Sequence, residues 1–395
     1  MSITRRNVLT LAGAAGVSAV ASPFIRPSWA AGDKIKVGLL LPYSGTYAKL
    51  GEAITNGMML YYNQNKDAFG GRTLEFIKVD SEAAPPKAAE YTNKLVLGEK
   101  VDVLTGPVHS GVAIAMAKIA REAGVLTIIS NAGANDLTGG LCAPNIFRSS
   151  FANGQPGYAT GKAMIAAGIK EAVSFTWRYA AGKESVDGFK KAFQEGGGKI
   201  IKDITIPFPQ VQFQSALSEI ASIKPPAVYS FYAGGGAAKY VKDYAAAGLL
   251  KNIQLWGPGF LTDGVEQAIG AAGNGVKTAL HYADDLDNAE NKAFRAAYEA
   301  AFKSPASVYA VQGFDTMAML SAGLKAVNGD IKKKNDLHGA IANAEIKSPR
   351  GPLKLSKSHN PVQNFYLREL RDGKNVNKGV AVASLGDIDK NCKMG

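Results

Sequence analysis

Reactive side chains are scarce in this 395-residue chain. It has two cysteines, Cys142 and Cys392, and four histidines, His109, His281, His338 and His359, spread over four separate segments. Close-spaced soft ligands are lacking, so no metal site is expected. After residue 30 no stretch is apolar for the ~18 residues that a membrane span needs, so the mature chain is not expected to insert in a bilayer. The chain carries no Gly-x-Ser-x-Gly elbow, no Gly-x-Gly-x-x-Gly fingerprint and no P-loop. Basic residues do not run together with aromatics between them, which argues against a nucleic-acid partner. No enzyme activity and no cofactor are expected.

What is present begins with the first thirty residues. Thr4-Arg5-Arg6-Asn7-Val8-Leu9 carries two arginines ahead of a mildly apolar run, Val8 to Ala21. A small-x-small site, Ser28-Trp29-Ala30, follows. This is the pattern of a twin-arginine signal peptide, with cleavage expected after Ala30 and release into a bacterial periplasm. Pro23 and Pro27 disfavour a buried helix there. The formal charge of +12 falls to +9 without Arg5, Arg6 and Arg26, and it is scattered among acidic residues like an ordinary solvated surface. In an oxidising compartment the two cysteines most simply pair, closing a loop of about 250 residues and stapling the C-terminal tail to the body.

Strands and helices alternate through the mature chain. Lys34–Leu41, Thr73–Val79, Val101–Thr105 and Val125–Ser130 read as strands, with helices over Gly51–Asn63, Pro86–Leu97 and Ser110–Ala123 between them. The pattern restarts after Phe151. Strands are expected at Ala172–Trp177, Lys199–Pro207 and Ala227–Tyr232, and helices at Glu184–Glu195, Phe213–Ile223 and Ala237–Ala247. Further elements lie in Ala293–Val327 and Gly351–Leu370. Two such runs predict an α/β architecture of two doubly wound parallel-sheet lobes. Ligands in these folds bind outside the carboxyl ends of the strands, so the cleft between lobes is the expected site.

Several loops could line it. In Gly106-Pro107-Val108-His109-Ser110-Gly111 a His directly before a Ser is badly placed as its base. The spacing instead suggests that Ser110 caps the next helix, where backbone N–H groups can take a carboxylate. Ser130-Asn131-Ala132-Gly133-Ala134-Asn135 offers small residues after a strand in the same way. Gly234-Gly235-Gly236 leaves open space at the mouth of the second lobe. Aromatic residues gather at strand ends: Tyr43, Tyr47, Phe151, Trp177, Tyr179, Phe213, Tyr232, Phe260 and Tyr309. Together they suggest a flat-walled cleft that could stack a ring.

Leu41-Pro42-Tyr43-Ser44-Gly45, the Gly106–Ser110 turn, Ser130–Thr138, Gly182–Phe189 and Gln212-Phe213-Gln214-Ser215 resemble the branched-chain amino-acid (Leu/Ile/Val-type) solute-binding proteins of ABC transporters. These are type I periplasmic binding proteins, and the resemblance covers essentially the whole mature chain. It implies a Venus-flytrap fold with a three-stranded hinge near Phe151-Ala152, Tyr282-Ala283 and His359-Asn360. The lobes would be residues 31–151 with 283–359 and residues 152–282 with 360–380, and a tail, 381–395, would be tied back to the first lobe by Cys142–Cys392. The carboxylate clamp would fall on Ser110 and on the backbone around Ala132 and Ala134, with ring or chain contacts from Tyr43, Leu50, Ala181, Phe213 and Tyr309.

The chain departs from the amino-acid binders in two places. Their Glu that neutralises the ligand ammonium corresponds to Gly236, and a Thr that helps hold the amino and carboxyl groups corresponds to Ala134. The resemblance therefore points to the branch that takes up aromatic acids, with His109 and Arg178 as candidates to bond ring substituents. The expected function is a monomeric periplasmic receptor that binds a small carboxylate without an α-amino group and delivers it to an inner-membrane ABC permease. Branched-chain amino-acid binding, or sensing for a signalling partner, is the alternative.

Overall fold

The computed structural model describes residues 34–388 and 391–394, so the signal-peptide reading of residues 1–30 lies outside the described residues. The first sheet is built from β1 (Ile35–Leu41), β2 (Leu74–Asp80), β3 (Val103–Gly106), β4 (Leu126–Ile129) and β5 (Ile146–Arg148). Helices α1 (Ala48–Gln64), α2 (Ala88–Asn93) and α3 (Ser110–Ala123) connect the first four. Neighbours run parallel in the order β2-β1-β3-β4-β5. β3 and β4 are buried throughout, as strands covered by helices on both faces must be.

The chain then passes through α4 (Gly154–Ala166) into β6 (Glu171–Arg178), α5 (Ala180–Glu195), β7 (Lys199–Pro207) and α6 (Gln214–Ile223). β8 (Ala227–Phe231), α7 (Gly234–Ala246), β9 (Gln254–Pro258), α8 (Glu266–Ile269) and β10 (Lys277–Leu280) complete this run. Its parallel part repeats the first order, β7-β6-β8-β9-β10. Each sheet thus has its switch point beside the strand that entered first, where the following loops diverge and leave a crevice.

Helices α9 (Ala289–Phe302), α10 (Val308–Ala326) and α11 (Lys334–Ala342) follow. Fifteen of the 19 residues of α10 are buried, which marks a helix enclosed on all sides, and it packs along α1. β11 (Ile346–Ser348), β12 (Gly351–Leu355), β13 (Pro361–Arg371) and β14 (Lys374–Leu385) then extend the second sheet, with β13 antiparallel to β10 and to β14. The expected α/β pair of parallel-sheet lobes is what the chain forms. Differences are local. The helix expected over Pro86–Leu97 is α2 followed by a π turn, Lys94–Gly98. Helices α5 and α7 begin earlier than their apolar patterns, because extended Tyr179 and Ala233 serve as their N-caps.

Three buried arginines hold the crossovers between sheets. Arg350 Nη2 lies 2.9 Å from Asp315 Oδ2, and its guanidinium also bonds the carbonyls of Ser149 and Ser150. Burial pushes the Asp315 carboxyl up to about 6 in spite of that cation. Arg368 Nη1 donates to Asp263 Oδ2 at 2.5 Å and to Tyr282 O at 3.2 Å. Asp263 Oδ1 in turn accepts the Val308 N–H at the start of α10 (2.9 Å). Arg148 donates to Phe151 O at 2.6 Å and to Ala134 O at 2.8 Å. His359 still bonds the first sheet, its Nδ1–H meeting Ile146 O at 2.9 Å, whereas Pro361 already opens β13. Cys142 and Cys392 form a disulfide, as expected from their number and compartment.

Candidate ligand-binding site

The carboxyl ends of both sheets converge on one narrow cavity. From the first lobe come Tyr47 and Leu50 after β1, Val108 and Ser110 after β3, and Asn131 and Gly133 after β4. The second contributes Tyr179 and Ala181 after β6, Phe231 and Ala233 at the end of β8, and Phe260 after β9. Phe151 and Asn153 from a crossover and Tyr309 from α10 close the ends. The space between them, opening to solvent included, is about 290 Å³.

Charge is missing from this lining: among the described residues around the cavity there is no Asp, Glu, Lys, Arg or His. Positive potential arrives by other means. Ser110 opens α3 and Ala181 lies in the first turn of α5, so two helix N-termini with their partial positive charge reach the cavity. Behind the Gly133–Ala134 wall sits Arg148, fully buried and bonded to carbonyls and Thr138 Oγ1. Burial pulls its guanidinium down to about 10, which leaves it cationic at neutral pH. The aromatic walls are Phe151 and Phe260, with ring centroids 4.6 Å apart, and Tyr309, 6.1 Å from Phe260. Tyr309 Oη is buried without a partner, and burial raises its hydroxyl well above the usual range, so it stays protonated.

The lobes also touch directly. Tyr47 Oη and Tyr179 Oη are 2.8 Å apart, and Thr46 Oγ1 accepts the Gly236 N–H at 3.2 Å. Glu184 Oε2, on α5, accepts the Asn135 N–H (2.9 Å) and Asn153 Nδ2 (2.8 Å). Asn153 Nδ2 also donates to Ser110 Oγ at 3.1 Å, so this clasp ends on a cavity side chain.

Of the residues singled out in the sequence, Ser110, Leu50, Ala181 and Tyr309 are brought together here. Ser110 is not the helix cap, however. His109 is: its Nδ1 accepts the Gly111 N–H at 3.0 Å. The His109 ring packs against Tyr179 and Phe208, both at 4.9 Å, and is absent from the cavity lining; burial pulls it down to about 4, keeping it neutral. The side chains of Ala132 and Ala134 pack into an apolar cluster of the first sheet, away from the cavity, and of the backbone expected to take a carboxylate the Ala132 N–H is already held by Pro107 O. The backbone after β4 keeps a period of two, so Asn131 and Gly133 reach the cavity instead.

Four other candidates lie outside this lining. Tyr43 turns to Thr55, 2.9 Å away, and burial pushes its hydroxyl up to about 12. Phe213 belongs to an aromatic core with Phe175, Tyr232 and Tyr240. Arg178 is exposed at the end of β6 and outside the lining. The Gly234–Gly236 run is not an open mouth but the first turn of α7, and a Cβ at Gly236 would come 2.4 Å from the Trp177 ring. Trp177 therefore fills the direction in which a side chain at 236 would grow. Val108, Asn131 and Gly133 lie in loops expected at the cleft but were not singled out, and Asn153, Phe231 and Ala233 were missed; alternation continued past β4 and β8 was the signal that could have found most of them.

Residues 34–375 match the model of the family described as periplasmic binding protein. A Leu/Ile/Val-binding protein homolog 6 from Brucella abortus is 29% identical over 374 residues, covering 92% of this chain and 95% of that one. Among solved structures, the solute-binding protein of an ABC transporter from R. palustris, in complex with benzoate, is 62% identical with a TM-score of 0.89. That match covers 91% of this chain and all of the other. A second, from Rhodopseudomonas palustris BisB5 in complex with 3,4-dihydroxybenzoic acid, is 31% identical with a TM-score of 0.85, covering 90% and 99%.

Proposed function

We propose that this chain, which belongs to the periplasmic binding protein family, closes its two lobes on a small aromatic carboxylate and presents the closed form to the permease of an ABC uptake transporter. The observation that carries this reading is the uncharged lining of the cavity. An α-amino acid enclosed there would leave its ammonium without an anionic partner, a cost of several kcal/mol for a desolvated ion. A ligand whose only charge is a carboxylate has no such deficit. It would meet Ser110 and the positive ends of α3 and α5, with Arg148 adding to the field from behind. Phe151, Phe260 and Tyr309 would enclose its ring.

The R. palustris protein that holds benzoate is 62% identical, more than twice the 29% of the relative named for leucine, isoleucine and valine. The ligand acts by favouring the closed form, to the extent that it contacts both lobes at once. Rotation on closure would fall on the crossovers near Phe151-Ala152, Tyr282-Ala283 and His359-Asn360. Export by the twin-arginine route is part of the reading and rests on Arg5-Arg6 and the cleavage site at Ala30. Finding the mature chain outside the cytoplasm of cells that lack that translocase would rule the route out.

Titration calorimetry of the purified mature protein tests the ligand class. Benzoate is expected to bind with one-to-one stoichiometry and leucine to give no heat of binding. Leucine binding without a response to benzoate would overturn the proposal and favour the amino-acid alternative.

A further inference from the structure

A second compartment lies against the ligand cavity, and the two share only Leu50 and Tyr309 among their lining residues. Its open space, including the mouth to solvent, is about 1100 Å³ against about 290 Å³ for the cavity. Ala53 and Asn56 line it from α1, Ser304 and Ser307 from the segment before α10, Gly264 from the loop after β9, and Glu266 from the start of α8. The Tyr309 ring stands between the two spaces. Phe260 of the cavity is 6.1 Å from its centroid, while a Cβ at Gly264 of the far compartment would lie 3.2 Å from its edge. Leu50 seals the same wall across the cleft, since a Cβ at Gly234 on α7 would come within 3.5 Å of its Cδ1. Both partition residues are 2% exposed.

We propose that Leu50 and Tyr309 are the specificity-determining partition of this site: they restrict the ligand to a carboxylate borne directly on one ring, and the compartment behind them would receive the far end of a longer aryl acid. The inference rests on the aromatic-carboxylate reading above and adds what sets the length. The far compartment carries charged side chains, Lys49, Glu52 and Glu266, where the cavity has none. Asn56, Ser304 and Ser307 bring amide and hydroxyl groups, and Glu266, 9% exposed, has a carboxyl oxygen without a partner. Burial, with Asp263 and Asp284 nearby, pushes that carboxyl up to about 8, so at neutral pH it can donate a hydrogen bond to a tail oxygen.

The test compares benzoate with 3-phenylpropanoate by calorimetry on the wild-type chain, Leu50→Ala, Leu50→Val and Tyr309→Phe. The wild type is expected to prefer benzoate by at least about tenfold, the range in which a pocket senses surplus methylenes. Leu50→Ala should shift the ratio of the two affinities toward the longer acid by about tenfold or more, and Leu50→Val less in the same direction. Tyr309→Phe keeps the ring and should leave the order of the two acids unchanged. A Leu50 variant that melts cooperatively and keeps the wild-type ratio overturns the partition. So does a wild type that binds both acids equally. A wild type that binds leucine and neither acid removes the functional reading, and this inference with it.

Discussion

The ligand cavity and the hinge behind it are both buried, yet they treat charge in opposite ways. No Asp, Glu, Lys, Arg or His lines the cavity among the described residues, whereas the crossovers enclose Arg148, Arg350, Arg368, Asp263 and Asp315, each at most 3% exposed. In the hinge the cations are consumed by carbonyls and carboxylates of the chain itself, which fixes where each crossover leaves its sheet. In the cavity nothing of the kind is provided, and compensation is left to helix ends. Internal charge thus sets the architecture, and the charge brought by a ligand is free to decide closure.

The contrast can be broken from either side. The largest effect is expected at the hinge. Arg350→Met leaves the buried Asp315 carboxylate without its cation, with only Ser348 Oγ for a partner, and takes a donor from the Ser149 carbonyl; it should cost about 3–5 kcal/mol of stability, the usual consequence of removing one partner of a buried pair. An unchanged urea midpoint would show that the hinge charges are dispensable. In the cavity, Ser110→Ala should weaken benzoate binding by about 1–3 kcal/mol, the range for a lost hydrogen bond to a charged group, with little change in melting. Unaltered calorimetric affinity would remove Ser110 from the site.

Glu266, between the two regions, should produce the smallest effect, a slope and not a loss. The folded chain keeps its proton up to about pH 8, while the unfolded chain releases it near the ordinary glutamate value. Between those limits the folded state holds more protons, so stability falls as pH rises. Glu266→Gln should flatten the melting temperature between pH 6 and pH 9; an identical slope would assign the pH dependence to other groups.

The architecture was legible because apolar runs at strand and helix periods survive any tertiary context, and their restart after Phe151 marks the second lobe. The far ends of the chain were less so. β13 and β14 cross-pair through bulges and half-exposed positions, which blurs their alternation. The site was half legible. Leu50, Ser110, Ala181 and Tyr309 follow directly from the resemblance, and the loop after β4 was expected through its backbone around Ala132 and Ala134, but which of its residues line the cavity, Asn131 and Gly133, was not. Phe213, Tyr43 and Arg178 sit at loop ends like the residues that do reach the cavity. Neighbours distant in sequence, Tyr240 for Phe213 and Thr55 for Tyr43, turn two of them away, and Arg178 faces solvent. Gly236 lies outside the cavity lining: its missing side chain makes way for Trp177 and does not leave a gap at the mouth.

The bond between Cys142 and Cys392 has a mechanical corollary. β14 leaves the second sheet at Leu385, and seven residues later the chain is fastened beside the first-lobe loop that precedes β5. Fully stretched, such a segment reaches ~25 Å. With the sulfurs joined, this segment is a leash: the end of β14 can part from the loop before β5 by no more than that length.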